Sequence, residues 1–194
     1  MRLREIDRGD GIFNRLLIAF ISLVSGIRLP DAARVAFYHK EFFGSPMGAW
    51  TQATMRGPSA WSVGDRELMA ALIAKWNSCD FCVGAHGAVA ARAIERSLVD
   101  TALSDYRAAP ISDGLKATLE FLEAMTVRPT ELTSESAAAV FEAGVSAEAL
   151  KDAIAVGAIF NIVTRYANAL DFALPTANEF DRAASMLLKR GYAS

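Results

Sequence analysis

Cysteine and histidine are scarce in this chain, with two of each among 194 residues. Two cysteines cannot staple a secreted disulfide scaffold. A surplus of one charge is also missing, since 20 Lys and Arg face 22 Asp and Glu. With no basic stripe to displace counterions from phosphates, nucleic acid is not expected as a partner. Six prolines and no Gly/Ser-rich or Pro-rich stretch leave no linker, so residues 1–194 read as one domain. Apolar–polar alternation of period two is lacking, which removes the usual signature of strands. No Gly-rich phosphate loop, nucleotide fingerprint or Ser–His–Asp arrangement is visible.

One hydrophobic run, Ile12 to Val24, bears on membranes and export. It carries Asn14 and Arg15 and falls short of the roughly 20 apolar residues of a spanning helix. Glu5, Asp7 and Asp10 precede it and no A-x-A follows, unlike a signal peptide. Residues 1–28 therefore read as an N-terminal arm whose helix docks on the core or on a partner subunit. No membrane contact and a cytoplasmic location are expected.

What the chain has is alanine, at 36 positions, within an apolar content of 53%. Alanine mixed with Leu, Glu, Arg and Met is helix-forming composition. Start and stop residues divide it into helical runs. Pro30 opens one that ends at Gly44, and Ser45-Pro46 opens another that stops near Gly57-Pro58. Ser62 with Asp65 makes a capping box before a run to Trp76. Further runs cover Cys79 to Arg96, Leu98 to Tyr106, Asp113–Met125, Glu135–Ala143, Ala147 to about Phe172, and Asn178–Lys189. The expected fold class is all-α, a bundle of about eight helices.

Both cysteines and one histidine fall within eight residues, in Cys79-Asp80-Phe81-Cys82-Val83-Gly84-Ala85-His86. At 100° per residue Cys79, Cys82 and His86 share an arc of about 60°. Cys82 and His86 are i,i+4, so thiol and imidazole can be neighbours. Cys79 and Cys82 are i,i+3 at a helix start, a spacing that admits a reversible disulfide.

Glu67 joins them only if the chain turns. In one continuous helix it would stand about 18 Å from Cys79. Asn77-Ser78, however, are turn and cap residues. An antiparallel hairpin about position 77 sets His86 opposite residue 68, so Glu67 lies beside His86 and Cys82 one turn away. A helix N-terminus stabilises a thiolate, His86 can take the thiol proton, and Glu67 can orient the imidazole. A peroxide would oxidise one thiol to a sulfenic acid, and the other would condense with it to a disulfide. A zinc site from Cys79, Cys82 and His86 lacks a second Cys/His pair, so neither metal nor cofactor is expected.

Glu67, the eleven-residue spacer, Cys79-x-x-Cys82 and x-x-x-His86 resemble the signature of the alkylhydroperoxidase AhpD-like branch of the carboxymuconolactone decarboxylase superfamily. The signature region runs from about residue 40 to 125. The stretch from Phe160 to Phe172 (FNIVTRYANALDF) also resembles the C-terminal helix of the longer peroxidase-related members. The resemblance implies an AhpD-like fold, homo-oligomeric assembly, and thiol-dependent reduction of hydroperoxides without haem or metal. A dithiol, thioredoxin or lipoyl-type reductant would restore the pair. It makes Cys82 the peroxidatic cysteine, Cys79 the resolving one, and His86 with Glu67 the proton relay; electrostatics alone favours Cys79, which is nearer the helix start. The best-characterised peroxidase of the family carries histidine between the cysteines, where this chain has Phe81. Two other readings are a non-enzymatic redox-sensing or scaffold oligomer and a cofactorless lactone decarboxylase. Decarboxylase members typically lack the cysteine pair.

Outside this cluster, His39 reads as a surface or interface histidine, and Trp50, Trp61 and Trp76 as core or interface aromatics. Asn161, Arg165 and Asn168 form a polar stripe on an apolar helix, lining either the site or a subunit contact.

Overall fold

A computed structural model describes residues 2–38 and 40–192; His39 lies outside the described residues. Among the described residues eleven α-helices follow one another: α1 (Arg4–Arg8), α2 (Gly11–Ser25), α3 (Asp31–Tyr38), α4 (Ser45–Arg56), α5 (Val63–Trp76), α6 (Asp80–Ala93), α7 (Arg96–Asp105), α8 (Asp113–Val127), α9 (Ser134–Glu142), α10 (Ala147–Leu170) and α11 (Ala177–Arg190). A π-helical turn (Lys40–Gly44) and a 3-10 turn (Pro129–Glu131) complete the order, and no strand occurs among the described residues. The class is all-α as expected, with more and shorter pieces than eight. The Pro30–Gly44 run divides into α3 and the π turn, and α1 is a five-residue helix that composition did not single out.

The caps stand where polar residues precede apolar runs. Ser62 accepts from the Asp65 N–H at 3.1 Å while the Asp65 carboxylate accepts from the Ser62 N–H at 3.0 Å. Ser112 and Ser146 accept from Leu115 and Ala149 in the same way. Each such cap is worth about 1 kcal/mol.

Helix α5 is the axis of the molecule. From Leu68 to Ala74 every side chain is at most 1% exposed, as a helix apolar on all sides must be. It packs against α4, α6, α7, α8 and α10. Helix α10 supplies Ala153, Val156, Ile159 and Phe160 to the same core. By length and composition α10 could cross a membrane; here those side chains meet α5 and α8 instead. Trp61 and Trp76 pack on this core, with the Trp61 indole N–H donating to the Ala149 carbonyl at 2.7 Å. Trp50 is 41% exposed.

Candidate functional site

The turn between α5 and α6 carries the site. Asn77 ends α5, and Ser78 takes a left-handed backbone at φ 52°. The Cys79 N–H then donates to the Ala74 carbonyl at 2.9 Å and the Ser78 N–H to the Lys75 carbonyl at 3.0 Å. These are the two bonds of a Schellman motif, here with serine where glycine is usual. A non-glycine residue in this region costs on the order of 1 kcal/mol, and the polar stripe of α10 holds the turn against it. Asn77 donates its amide to Asn161 Oδ1 at 3.0 Å, Asn168 donates to the Asn77 carbonyl at 2.9 Å, and Arg165 donates to Asn161 Oδ1 at 2.7 Å. The stripe thus clamps the hairpin.

With the chain reversed there, Glu67 and His86 meet. Glu67 Oε2 stands 2.7 Å from His86 Nδ1, and the carboxylate has no exposed surface at all. The imidazole lies edge-on to Phe160, with ring centroids 4.5 Å apart. Two residues that no local pattern marks complete the carboxylate's shell. Arg56 Nη2, at the end of α4, lies 2.7 Å from Glu67 Oε1. Tyr192, just past α11, donates its hydroxyl to the same oxygen at 2.8 Å. Burial alone would raise the Glu67 carboxyl, but the hydrogen bond to His86, the attraction of His86 and Arg56, and the Tyr192 hydroxyl hold it below the usual carboxylate range.

The thiols form a second pair. Cys79 is the N-cap residue of α6, and its Sγ lies 2.8 Å from that of Cys82; both are free thiols, each 1% exposed. A disulfide of about 2.05 Å needs only a small adjustment of the two side chains. The hydrogen bond between the sulfurs lowers Cys79 despite burial, and a backbone hydrogen bond from Cys82 adds to this; the same sulfur contact and burial push Cys82 up. Cys79, at the positive end of α6, is therefore the more acidic thiol. Among the described residues no hydrogen bond joins His86 to either sulfur. The structure brings together Glu67 with His86 and Cys79 with Cys82, two pairs one helical turn apart on α6.

The thiols are enclosed by Ile6, Val35, Ala167 and Phe172, with Tyr166 and Phe180 at the margin. Phe81 packs edge-on to Phe172 at 5.2 Å and tilted to Phe180 at 6.1 Å, so it serves the aromatic wall. Phe180 also fixes Gly84, where a Cβ would come within 2.5 Å of its ring; α11 lies this close only because residue 84 has no side chain. Among the described residues no group of three or more His, Cys, Asp or Glu could hold a metal ion.

Solved structures share this architecture. The chain is similar to a peroxidase-related protein from Silicibacter sp. TM1040, with TM-score 0.77, 21% identity and 93% of each chain covered. It is also similar to the alkylhydroperoxidase AhpD core of a peroxidase-related protein from Ralstonia eutropha JMP134, with TM-score 0.72, 24% identity and 87% of each chain covered. The apo debrominase Bmp8 aligns with TM-score 0.70 and 18% identity over 91% of this chain and 94% of its own. No family model and no curated protein matches the sequence. The fold is AhpD-like.

Proposed function

We propose that this AhpD-like fold serves as a thiol-dependent oxidoreductase that reduces hydroperoxides through Cys82 and Cys79, with His86 and Glu67 as the proton relay. The observation that carries the reading is the buried Glu67–His86 contact of 2.7 Å one turn from a free thiol pair. His86 takes the Cys82 proton, and the Cys82 thiolate attacks the distal oxygen of ROOH. The O–O bond breaks, ROH leaves after protonation, and Cys82 becomes a sulfenic acid. Cys79 then attacks that sulfur, water leaves, and a disulfide closes. A dithiol reductant returns two electrons and two protons by attacking Cys82, with Cys79 as leaving group. The lowered pKa of Cys79 suits that role, because the more acidic thiol leaves faster.

The test is consumption of hydrogen peroxide and of an alkyl hydroperoxide with a dithiol present, for wild type and for Cys82→Ser and Cys79→Ser. Turnover that either substitution abolishes supports the reading. Mild oxidation should remove two titratable thiols per chain without covalent dimers. Absence of turnover in the wild type leaves a redox sensor or scaffold. The likeness to a debrominase, with the aromatic wall of Phe81, Phe172 and Phe180, supports a second reading. In it the dithiol reduces R–Br to R–H and HBr while the disulfide forms, and 2,3,4-tribromopyrrole, which a solved structure of Bmp8 holds in complex, separates the two when assayed beside the peroxides.

The working form is a homo-oligomer in which a second copy covers α2. Ile12, Phe13, Leu16, Phe20, Leu23 and Val24 are 63–81% exposed and fall on one arc of about 120°. That arc contains no charge, so it has no complement on a charged partner and pairs best with itself. Six such side chains on one face form a contiguous apolar patch of the kind that marks a protein–protein interface. Light scattering that finds only monomer at micromolar concentration overturns this.

A further inference from the structure

The Glu67–His86 pair is held by groups that the Glu–CxxC–His spacing does not contain. Tyr192 touches both members. Its hydroxyl lies 2.8 Å from Glu67 Oε1 and 3.4 Å from His86 Nδ1, and a hydroxyl has one proton, which goes to the nearer carboxylate. Its ring stacks on the imidazole, at 20° and 6.3 Å between centroids. The Arg56 guanidinium lies over the tyrosine ring, 4.9 Å from its centroid, and neutralises Glu67 through Oε1.

Tyr192 is delivered there by a built strap. Gly191 turns the chain after α11 at φ +70°, where a Cβ would meet Gln52 Oε1 at 2.2 Å. The Tyr192 N–H then donates to Gln52 Oε1 at 2.7 Å. Helix α11 itself is latched to α6 by a bidentate Arg92–Asp181 pair at 2.9 and 2.6 Å and by Phe180 on Gly84. The strap therefore draws on α4, α5, α6 and α11 to set one phenol on one carboxylate.

We propose that Tyr192 is a positioning residue of the relay, pinning the Glu67 carboxylate and the plane of the His86 ring so that Nδ1–H faces Glu67 and Nε2 is left as the free base. The inference rests on the relay described under Proposed function and adds the group that selects its tautomer. A neutral imidazole has one N–H, and the partner of one nitrogen decides which nitrogen keeps the lone pair. Glu67 can make that choice only while it is ionised and fixed. Burial and the neighbouring carboxylate push Tyr192 well above the usual phenol range, so it stays a donor throughout.

The experiment uses full-length reduced protein labelled with ¹⁵N-histidine, with His86 resonances identified by their loss in His86→Ala. In the neutral ring of the wild type the proton should reside on Nδ1. Tyr192→Phe keeps the ring and loses the hydroxyl; both tautomers should then be populated, and thiol alkylation by a small reagent should slow about tenfold. Gln52→Ala, which frees the strap without touching the dyad, should move both readouts in the same direction by less, and keeps the test open should Tyr192→Phe fold poorly. A wild-type proton on Nε2 overturns the proposal. So do unchanged spectra in both variants, or a slowed rate with the tautomer unmoved. A tautomer shift in a protein that consumes no hydroperoxide supports the role of Tyr192 and overturns the peroxidase reading instead.

Discussion

Helices α2 and α5 are both built largely from apolar residues, yet α5 vanishes into the protein and α2 stays at its surface. In α5 the run Leu68 to Ala74 is sealed by five neighbouring helices. In α2 only Ile18 is buried, and Leu23 remains 81% exposed. Apolar content dictates that a surface be covered, and says nothing about what covers it. For α5 the cover comes from its own chain, and the seal has a chemical consequence. A carboxylate, an imidazole and a guanidinium inside it interact far more strongly than they would in water. The relay lies where burial is deepest, while α2 carries apolar surface and no titrating group but Arg15.

Substitutions in either helix test this contrast. The largest effect is expected at the dyad. His86→Ala should slow thiol alkylation by about 10²–10⁴-fold, and Glu67→Gln by less, with the helices intact by circular dichroism. Identical pH dependence in wild type and His86→Ala would reduce the cluster to an incidental cysteine pair. Leu72→Ala should cost about 2–5 kcal/mol of stability, measured by denaturant unfolding. A loss below 1 kcal/mol would mean that α5 is less tightly sealed than its exposure indicates.

Acid should probe the same seal through Glu67. Its carboxyl is lower folded than unfolded, so its stabilising contribution is fully present above the usual value of 4.5 and is lost as pH falls through the lower, folded value. Arg56→Met should raise that carboxyl and carry acid unfolding, followed by circular dichroism, to higher pH. An unmoved acid transition would show that Arg56 does not hold the charge. The smallest effect on folding is expected in the arm. Phe20→Ser with Leu23→Ser should change monomer stability by no more than about 0.5 kcal/mol while shifting light scattering toward monomer.

The amino-acid sequence alone makes the class all-helical, because alanine-rich runs between Ser, Thr, Pro and Gly punctuation have no competing local structure. It also placed Glu67 beside His86: once Asn77-Ser78 breaks the helix, rise and register fix which residues of an antiparallel pair face each other. Local spacing reaches no further. Arg56 lies at a helix end with nothing to mark it, and Tyr192 is 125 residues from Glu67 and 106 from His86. Their arrival depends on how α4 and α11 cross the hairpin, which periodicity within one helix cannot encode. The stripe of Asn161, Arg165 and Asn168 was visible as a pattern, but its purpose was not, since its principal partner is the backbone and side chain of Asn77 on another element. Phe81 likewise took its meaning from Phe172 and Phe180. Residue type and period decided which groups exist and which face they share. Only the tertiary packing decided what each buried polar group touches, and so which carboxylate is ionised and which thiol is the acid, because those depend on neighbours brought in from far along the chain.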